Sequence, residues 1–259
     1  MSIDDDIAAK LARLDELEHR FAQAVQTAKL EAMKELAYGA GHEINNPLAN
    51  ISARAQTLLQ EETQPEKRRK LAAIHAQAMR AHEMITDLML FARPPKLTPT
   101  TFDLVELVQR EITKLADEAQ ALSIELSANL PAATLPITAD PTQIRVILRA
   151  LCVNAFEAIG STAQRATTEP AVKRGVVAVS VRQEANGTPV IVVADNGPGI
   201  PAEIGDKIFD PFFSGREAGR GLGFGLSKCW RIVRLHGGSI EVASESGQGA
   251  TFTVRLPKK

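Results

Sequence analysis

The sequence has few of the residues that mark secreted or membrane-embedded proteins. Only two of its 259 residues are cysteines, Cys152 and Cys229, which excludes a disulfide framework and is typical of a reducing compartment. No apolar run approaches the roughly 18 residues that a membrane span requires. The first residues are acidic, whereas a signal peptide begins basic and then turns apolar. These features predict a cytoplasmic chain with no membrane span and two buried thiols.

The chain also lacks an excess of charge of either sign. It carries 30 basic and 31 acidic side chains, so its formal net charge is −1. A field strong enough to hold the molecule on nucleic acid or on an anionic membrane needs a clear basic excess. The composition therefore predicts no nucleic-acid partner.

The N-terminal third is rich in helix formers. Residues 7–36 contain no Gly or Pro, and their apolar positions follow a three-four spacing, which predicts either a coiled coil or a helix packed on its own domain. The helical pattern continues to about residue 60, and a second helix is predicted over about 66–91 after a polar connector. A single helical hairpin buries too little apolar surface to be stable alone. We therefore expect a homodimer, with two hairpins forming a four-helix bundle.

Three prolines within residues 93–99 mark a domain boundary, because proline removes backbone donors and disfavours a helix before it. The predicted divisions are 1–29 as a signalling helix, 30–95 as the hairpin domain and 96–259 as a second domain. Within that second domain, helices are predicted at about 103–121 and 141–159, and strands at 176–181, 190–193, 240–242 and 251–256. The predicted fold class is α+β: a helical bundle, then an α/β sandwich with a mainly antiparallel sheet.

A first chemical motif surrounds His42 within the first helix. A neutral imidazole is a competent nucleophile near pH 7. Glu43 could accept its proton, and Asn46, one turn onward, could position a water for a hydrolytic reaction. The simpler interpretation is a solvated histidine on a helix surface, and this motif by itself does not decide between the two.

A second group of motifs fits a nucleotide. Asn154 is an amide in an apolar helix, where it could hold Mg²⁺ or bond to protein backbone. Asp195 ends a buried strand and could accept from an adenine amino group, with Gly197 and Gly199 allowing close approach, although such a sequence is also an ordinary turn. The glycines at the predicted start of a helix suit a polyphosphate; they are Gly221, Gly223 and Gly225.

The order of these motifs resembles that of sensor histidine kinases. Residues 42–47 resemble the H box, Asn154 lies in a segment similar to the N box, and residues 195–199, 209–213 and 221–225 resemble the first glycine, phenylalanine and second glycine boxes. The resemblance implies ATP and Mg²⁺ as cofactors, a phosphorylated His42, and a response regulator that receives the phosphoryl group on an aspartate. It also implies that Thr251 supports the adenine-binding Asp195.

One departure from the family pattern stands out. Four residues before Asn154, where the family commonly has a second Asn and related ATPases have a catalytic Glu, this chain has Ala150. The alternatives to a histidine kinase are an ATPase or protein-serine kinase of the same nucleotide-binding superfamily, and a dimeric scaffold that binds nucleotide with weak or no kinase activity.

Overall fold

A computed structural model describes residues 3–165, 174–205, 207–210, 213 and 223–257. The side chains of residues 161–165 and of several positions in the first helix, His42 among them, lie outside this description. Contacts within the chain divide it into two compact units, Met1–Pro94 and Pro95–Lys259. Each unit is described by itself.

The first unit is a helical hairpin. Helix α1 spans Ile3–Glu61 and contains Pro47, and helix α2 spans Pro65–Ala92 with a proline in its first turn, where the missing N–H costs nothing. The connector is held by Arg68, whose guanidinium donates to the carbonyls of Leu59 and Glu62 at 2.7 and 2.8 Å. The predicted hairpin is confirmed, and α1 continues without a break across the predicted boundary at residue 30.

The hairpin leaves an apolar groove between its helices uncovered. The groove has a volume of about 400 Å³, and its lining is almost wholly apolar: Leu48, Ile51, Ala73, Ile74, Gln77 and Ala78. Ile51 and Ile74 are 46% and 48% exposed. Among the residues described, no helix combines the length and apolar character that a bilayer crossing would need.

The second unit is an α/β sandwich. Its elements in chain order are β1 (Thr100–Asp103), α3 (Leu104–Ala121), β2 (Ile124–Asn129), β3 (Pro136–Ala139), α4 (Pro141–Arg165), β4 (Gly175–Gln183), β5 (Pro189–Asp195), α5 (Ala202–Gly205), α6 (Gly225–Leu235), β6 (Ser239–Ser244) and β7 (Ala250–Arg255). The main sheet has the order β2-β4-β5-β7-β6. Among the described strands, only β2 and β4 pair in parallel, and β1 and β3 form a separate antiparallel pair. The predicted α+β class with a mainly antiparallel sheet is confirmed.

The core lies between the main sheet and its helices. Alternate residues of the central strands point to one face, and on β7 these are Ala250, Phe252 and Val254, all buried. Helix α4 packs on β4 and β5, and α6 packs on α4 and β6. Cys152 and Cys229 are fully buried, as predicted, and burial raises the pKa of Cys152 to about 12, so the thiol is inert.

Candidate functional site

The first predicted site lies on the hairpin. His42 is part of the continuous helix α1, but its side chain lies outside the described residues. Glu43 and Asn46 are both exposed, and Asn46 lies one helical turn beyond His42. The structure therefore leaves the two polar side chains that accompany His42 open to an incoming molecule.

Gly41, immediately before His42, was not singled out from the sequence. It is buried where α1 faces α2, and a Cβ at this position would lie 2.5 Å from the sulfur of Met89. Glycine thus makes room for the end of the Met89 side chain beside His42. Only the packing of the two helices reveals this role, because a lone glycine in a helix carries no such signal in sequence.

The second predicted site begins at the end of β5. The carboxylate of Asp195 accepts a hydrogen bond from the amide of Gly197 at 2.8 Å, which closes a tight turn. Asn196 fixes the same turn to the start of β4, because its side chain accepts from Val176 N–H at 2.8 Å and donates to the Arg174 carbonyl at 2.9 Å. Asn196 is therefore a positioning residue that sequence reasoning missed.

Gly199 and Gly249 lie where two backbone segments meet. Both have positive φ, +72° and +83°, and a Cβ would lie 2.0 Å from the Glu245 carbonyl oxygen at the first and 1.9 Å from that of Asp195 at the second. Such contacts are impossible for any residue with a Cβ atom. The sequence predicted that Gly199 lets backbone approach a ligand; the structure shows that it lets one protein turn approach another.

Ser244 also joins these two turns. Its hydroxyl oxygen accepts from the Ile200 amide at 2.9 Å, and its hydroxyl donates to the Gly249 carbonyl at 2.6 Å. The Gly247 amide adds a bond to the Pro198 carbonyl at 2.7 Å. The turn that follows Asp195 is thus held on the turn before β7, and this contact between distant segments gave no signal in the sequence.

Asn154 approaches the same turn from helix α4. A Cβ added at Gly197 would lie within 3.6 Å of Ala158 and Ile159 on this helix. Ala158 is one helical turn beyond Asn154, so Asn154 lies on the helix face that meets the Asp195 turn. The structure therefore brings Asn154, Asp195 and Gly197 to one region.

The structure places Thr251 elsewhere. Thr251 is paired with Ala194, whereas the residue directly opposite Asp195 on β7 is Ala250. Because side chains alternate between the faces of a strand, Thr251 points to the face of the sheet opposite to Asp195. The two are not brought together as the resemblance implied, because Ala250 and not Thr251 lies opposite Asp195.

The glycines at the start of α6 are described in part. Gly223 has φ +73° and helix α6 begins at Gly225. Apart from its own chain neighbours and helix backbone, no described residue lies within 4 Å of a Cβ built on Gly225. The N–H groups of the first turn and the positive dipole end of an eleven-residue helix suit an anion there. Gly221 lies outside the described residues.

Burial raises the pKa of Asp195, and hydrogen bonds from the backbone of Gly197 and Ala250 offset this only in part. A half-buried carboxylate that is costly to ionise gains most from a partner that donates hydrogen bonds to it. A ligand amino group would supply such a donor. A carboxylate whose pKa is raised by burial is common at functional sites.

A metal site built from protein alone is not found. Within the part of the chain that the structure describes, no group of three or more His, Cys, Asp or Glu side chains lies close enough to hold an ion. Mg²⁺ usually takes oxygen ligands from the phosphates of a nucleotide as well as from the protein.

Two family models match the chain in the same order as its two units. Residues 32–96 match the His Kinase A phospho-acceptor domain, and residues 139–259 match the histidine kinase-, DNA gyrase B- and HSP90-like ATPase. The matches coincide with the hairpin that carries His42 and with the sandwich that carries Asp195.

Among curated relatives, the sensor histidine kinase ZraS of Klebsiella oxytoca is 34% identical over 230 residues, which cover 88% of this chain and 47% of that protein. The chain therefore spans about half the length of that relative. Two solved structures share its fold at 24% identity. One is full-length ShkA in complex with AMPPNP, with a TM-score of 0.71; the match covers 86% of this chain and 45% of that chain. The other is histidine kinase ThkA in complex with the response regulator protein TrrA, with a TM-score of 0.63; the match covers 94% of this chain and 67% of that chain.

A phospho-acceptor hairpin followed by an ATPase-type sandwich defines the transmitter region of a histidine kinase. The chain belongs to the sensor histidine kinases of two-component systems.

Proposed function

We propose that this chain autophosphorylates His42 with ATP and then transfers the phosphoryl group to an aspartate of a response regulator. One observation carries the proposal: the chain combines a helical hairpin bearing His42 with a separate unit whose Asn154, Asp195 and Gly197 converge in one region. A nucleophile and a nucleotide pocket are the two parts that phosphoryl transfer to protein requires.

The proposed reaction uses the imidazole as nucleophile. One ring nitrogen of His42 attacks the γ-phosphorus of ATP, the bond to the bridging oxygen breaks, and ADP leaves. Glu43 accepts the proton from the other ring nitrogen, which keeps a lone pair available for attack. The exposed position of Glu43, next in sequence to His42, supports this role.

The proposed nucleotide site assigns one role to each motif. Asp195 accepts from the adenine amino group, which relieves the cost of its burial. The start of α6, with Gly223, Gly225 and the adjacent Gly221, binds the phosphates. Asn154 contributes an oxygen ligand to Mg²⁺, an ion that neutralises charge on the phosphates.

The proposed partners are a second copy of this chain and a response regulator receiver domain. The uncovered apolar groove at Ile51 and Ile74 supports a homodimer, because two hairpins would bury it between them. ThkA, which shares the fold, was solved with a response regulator. We place this reaction in the cytoplasm, where such a regulator would be available.

A regulator phosphatase activity is a second proposed role of the same helix. Asn46 is exposed one turn beyond His42, where its amide could orient a water towards a phosphorylated regulator. In Asn46→Ala, autophosphorylation should persist while dephosphorylation of a phosphorylated regulator is lost. An unchanged rate of dephosphorylation would contradict this role.

The kinase proposal is tested by incubation with γ-labelled ATP and Mg²⁺. The wild-type chain should acquire a label that is labile in acid and stable in alkali, and His42→Gln should acquire none. Nucleotide binding by His42→Gln, measured with a fluorescent ATP analogue, controls for folding. If the wild-type chain binds nucleotide but acquires no label, the result would instead favour the dimeric scaffold that binds nucleotide without kinase activity. Ala150 would then be the first residue to examine as the cause.

A further inference from the structure

The two helices of the hairpin face each other along a seam that two contacts define. Ser52 on α1 bonds to His75 on α2, and Gly41, nearer the start of α1, packs against Met89, near the end of α2. The helices therefore run antiparallel along this seam. Seven residues are about two helical turns, so a residue seven positions before a contact on α1 faces the residue seven positions after it on α2.

The first level of this seam is a polar pair whose hydrogen bonds are satisfied. Ser52 is only 7% exposed, and its hydroxyl oxygen lies 2.9 Å from Nδ1 of His75. The same nitrogen lies 3.2 Å from the Ser52 carbonyl oxygen, so Nδ1 has a partner in either tautomer of the ring. Ser52 and His75 therefore join the two helices without leaving a buried polar atom unpaired between them.

The second level, two turns nearer His42, carries a polar pair without such bonds. Asn45 stands seven residues before Ser52, and His82 stands seven residues after His75. Oδ1 of Asn45 and Nδ1 of His82 are both buried, and neither has a hydrogen-bond partner among the described residues. A buried polar atom without a partner lowers the stability of the packing around it. The seam is therefore weakened at this level, one helical turn from His42.

The backbone of α1 is weakened in the same place. Four of the seven residues in 41–47 are Gly, Asn or Pro, which are poor helix formers. Pro47 also lacks the N–H group that would bond to the Glu43 carbonyl within the helix. The helix and its seam with α2 are therefore both weakened within the stretch of chain that bears His42.

We propose that Asn45 and His82 form a weak layer, retained at a cost in stability, that lets residues 43–47 of α1 open locally from α2. Segments that move during function come from the least stable parts of a fold. His42 has to present one imidazole to two partners in turn, ATP and a regulator aspartate, and local opening beside it allows both. Asn45 and His82 are positioning residues for these transfers. Their role in phosphoryl transfer rests on the proposed function, whereas the weak layer itself does not.

Asn45→Leu combined with His82→Leu tests the weak layer. Leucine is close in size to both side chains, and replacement of two buried polar groups by apolar ones of similar shape is neutral to stabilising. The matched control is Ser52→Ala combined with His75→Leu, which removes the polar pair whose hydrogen bonds are satisfied. His82→Met, a flexible apolar side chain that removes one of the two unpaired atoms, is a second variant should the double leucine variant fail to fold.

The test uses the full chain and three measurements. Hydrogen exchange at the amides of residues 43–46 reports local opening, the rate of His42 labelling at saturating ATP reports phosphoryl transfer, and a fluorescent ATP analogue reports nucleotide affinity. In the double leucine variant we expect exchange slowed about tenfold, labelling slowed severalfold and nucleotide affinity unchanged. His82→Met should change exchange and labelling in the same direction by less. The control should slow neither exchange nor labelling.

Exchange that is unchanged or faster in the double leucine variant would overturn the proposal, as would an equal slowing in the control. Slower exchange with labelling at the wild-type rate would overturn the role of the two residues in phosphoryl transfer. If the wild type is not labelled at all, the proposed function fails, whereas the exchange data still decide whether the weak layer exists.

Discussion

A Cβ atom on Gly249 would lie 1.9 Å from the carbonyl oxygen of Asp195, so the turn before β7 and the end of β5 touch through backbone alone. Asp195, the proposed adenine acceptor, therefore packs against Gly249, and this contact is possible only because Gly249 has no side chain.

We predict that Gly249→Ala weakens nucleotide binding by at least about tenfold. The substitution strains a positive φ, at about 1–2 kcal/mol, and displaces the backbone of Asp195 as well. Titration with a fluorescent ATP analogue would measure the loss. Gly247→Ala is the matched control, because its φ is +82° but its Cβ would meet nothing within 4 Å. Equal losses in both variants would contradict the role assigned to the contact.

We predict that nucleotide affinity falls as the pH is lowered through the raised pKa of Asp195, above the ordinary aspartate value of about 3.9. The adenine amino group favours the ionised carboxylate, so binding releases a proton over that range. The folding stability of the nucleotide-free protein depends on pH in the opposite direction. Because the pKa of Asp195 is raised in the folded state, this group stabilises the fold at low pH, and that contribution is lost as the pH rises through the raised pKa.

Calorimetry in buffers of different ionisation enthalpy would measure the protons released on nucleotide binding. The control is Asp195→Asn, whose side chain cannot ionise, measured at nucleotide concentrations high enough to saturate its weaker site. Equal proton release by the two proteins would show that Asp195 does not titrate on binding.

We predict that Ile74→Glu converts the protein to a monomer. Ile74 is 48% exposed in the apolar groove, and a charge buried there in a dimer would be unpaired. Light scattering after size exclusion would detect a mass of 27.9 kDa, that of one chain. The control is Leu122→Glu, an equally exposed apolar position in the second unit, which should leave the dimer intact. A dimeric Ile74→Glu would place the interface elsewhere.

We predict that His236→Ala lowers the free energy of unfolding by about 2–4 kcal/mol. The variant loses two buried hydrogen bonds, with the Asp140 amide and the Ile232 carbonyl, and leaves a cavity at the end of α6. Urea unfolding would measure the change. Leu235→Ala, one residue earlier but 44% exposed, should cost far less, and an equal cost would mean that the hydrogen bonds contribute little.

Long periodic segments were well predicted from sequence. Both hairpin helices, α3, α4 and α6, and the strands β4 to β7 were expected near their observed positions, because their apolar residues repeat over many positions. The dipeptide Asn186–Gly187 between β4 and β5 is typical of a tight hairpin turn, and Gly187 adopts the positive φ of 85° that such a turn requires.

Three strands were missed. Two of them, β1 and β3, have four residues each, too few to show a period, and they are strands only because they pair with each other. The third, β2, is an edge strand that pairs in parallel with β4, across an intervening helix. Pairing between distant segments leaves little trace in short sequences.

The sequence by itself determined the order of the motifs, the helical hairpin and the sandwich that follows it, since these depend on residue type and local periodicity. Only the tertiary structure decided which residues lie beside Asp195. The strand register places Ala250 rather than Thr251 opposite Asp195, and Gly249 packs against the Asp195 backbone. It also bound the proline-rich connector to Asp140. The physical reason is that register and close approach are relations between distant segments, and they exist only once the sheet and its turns have packed.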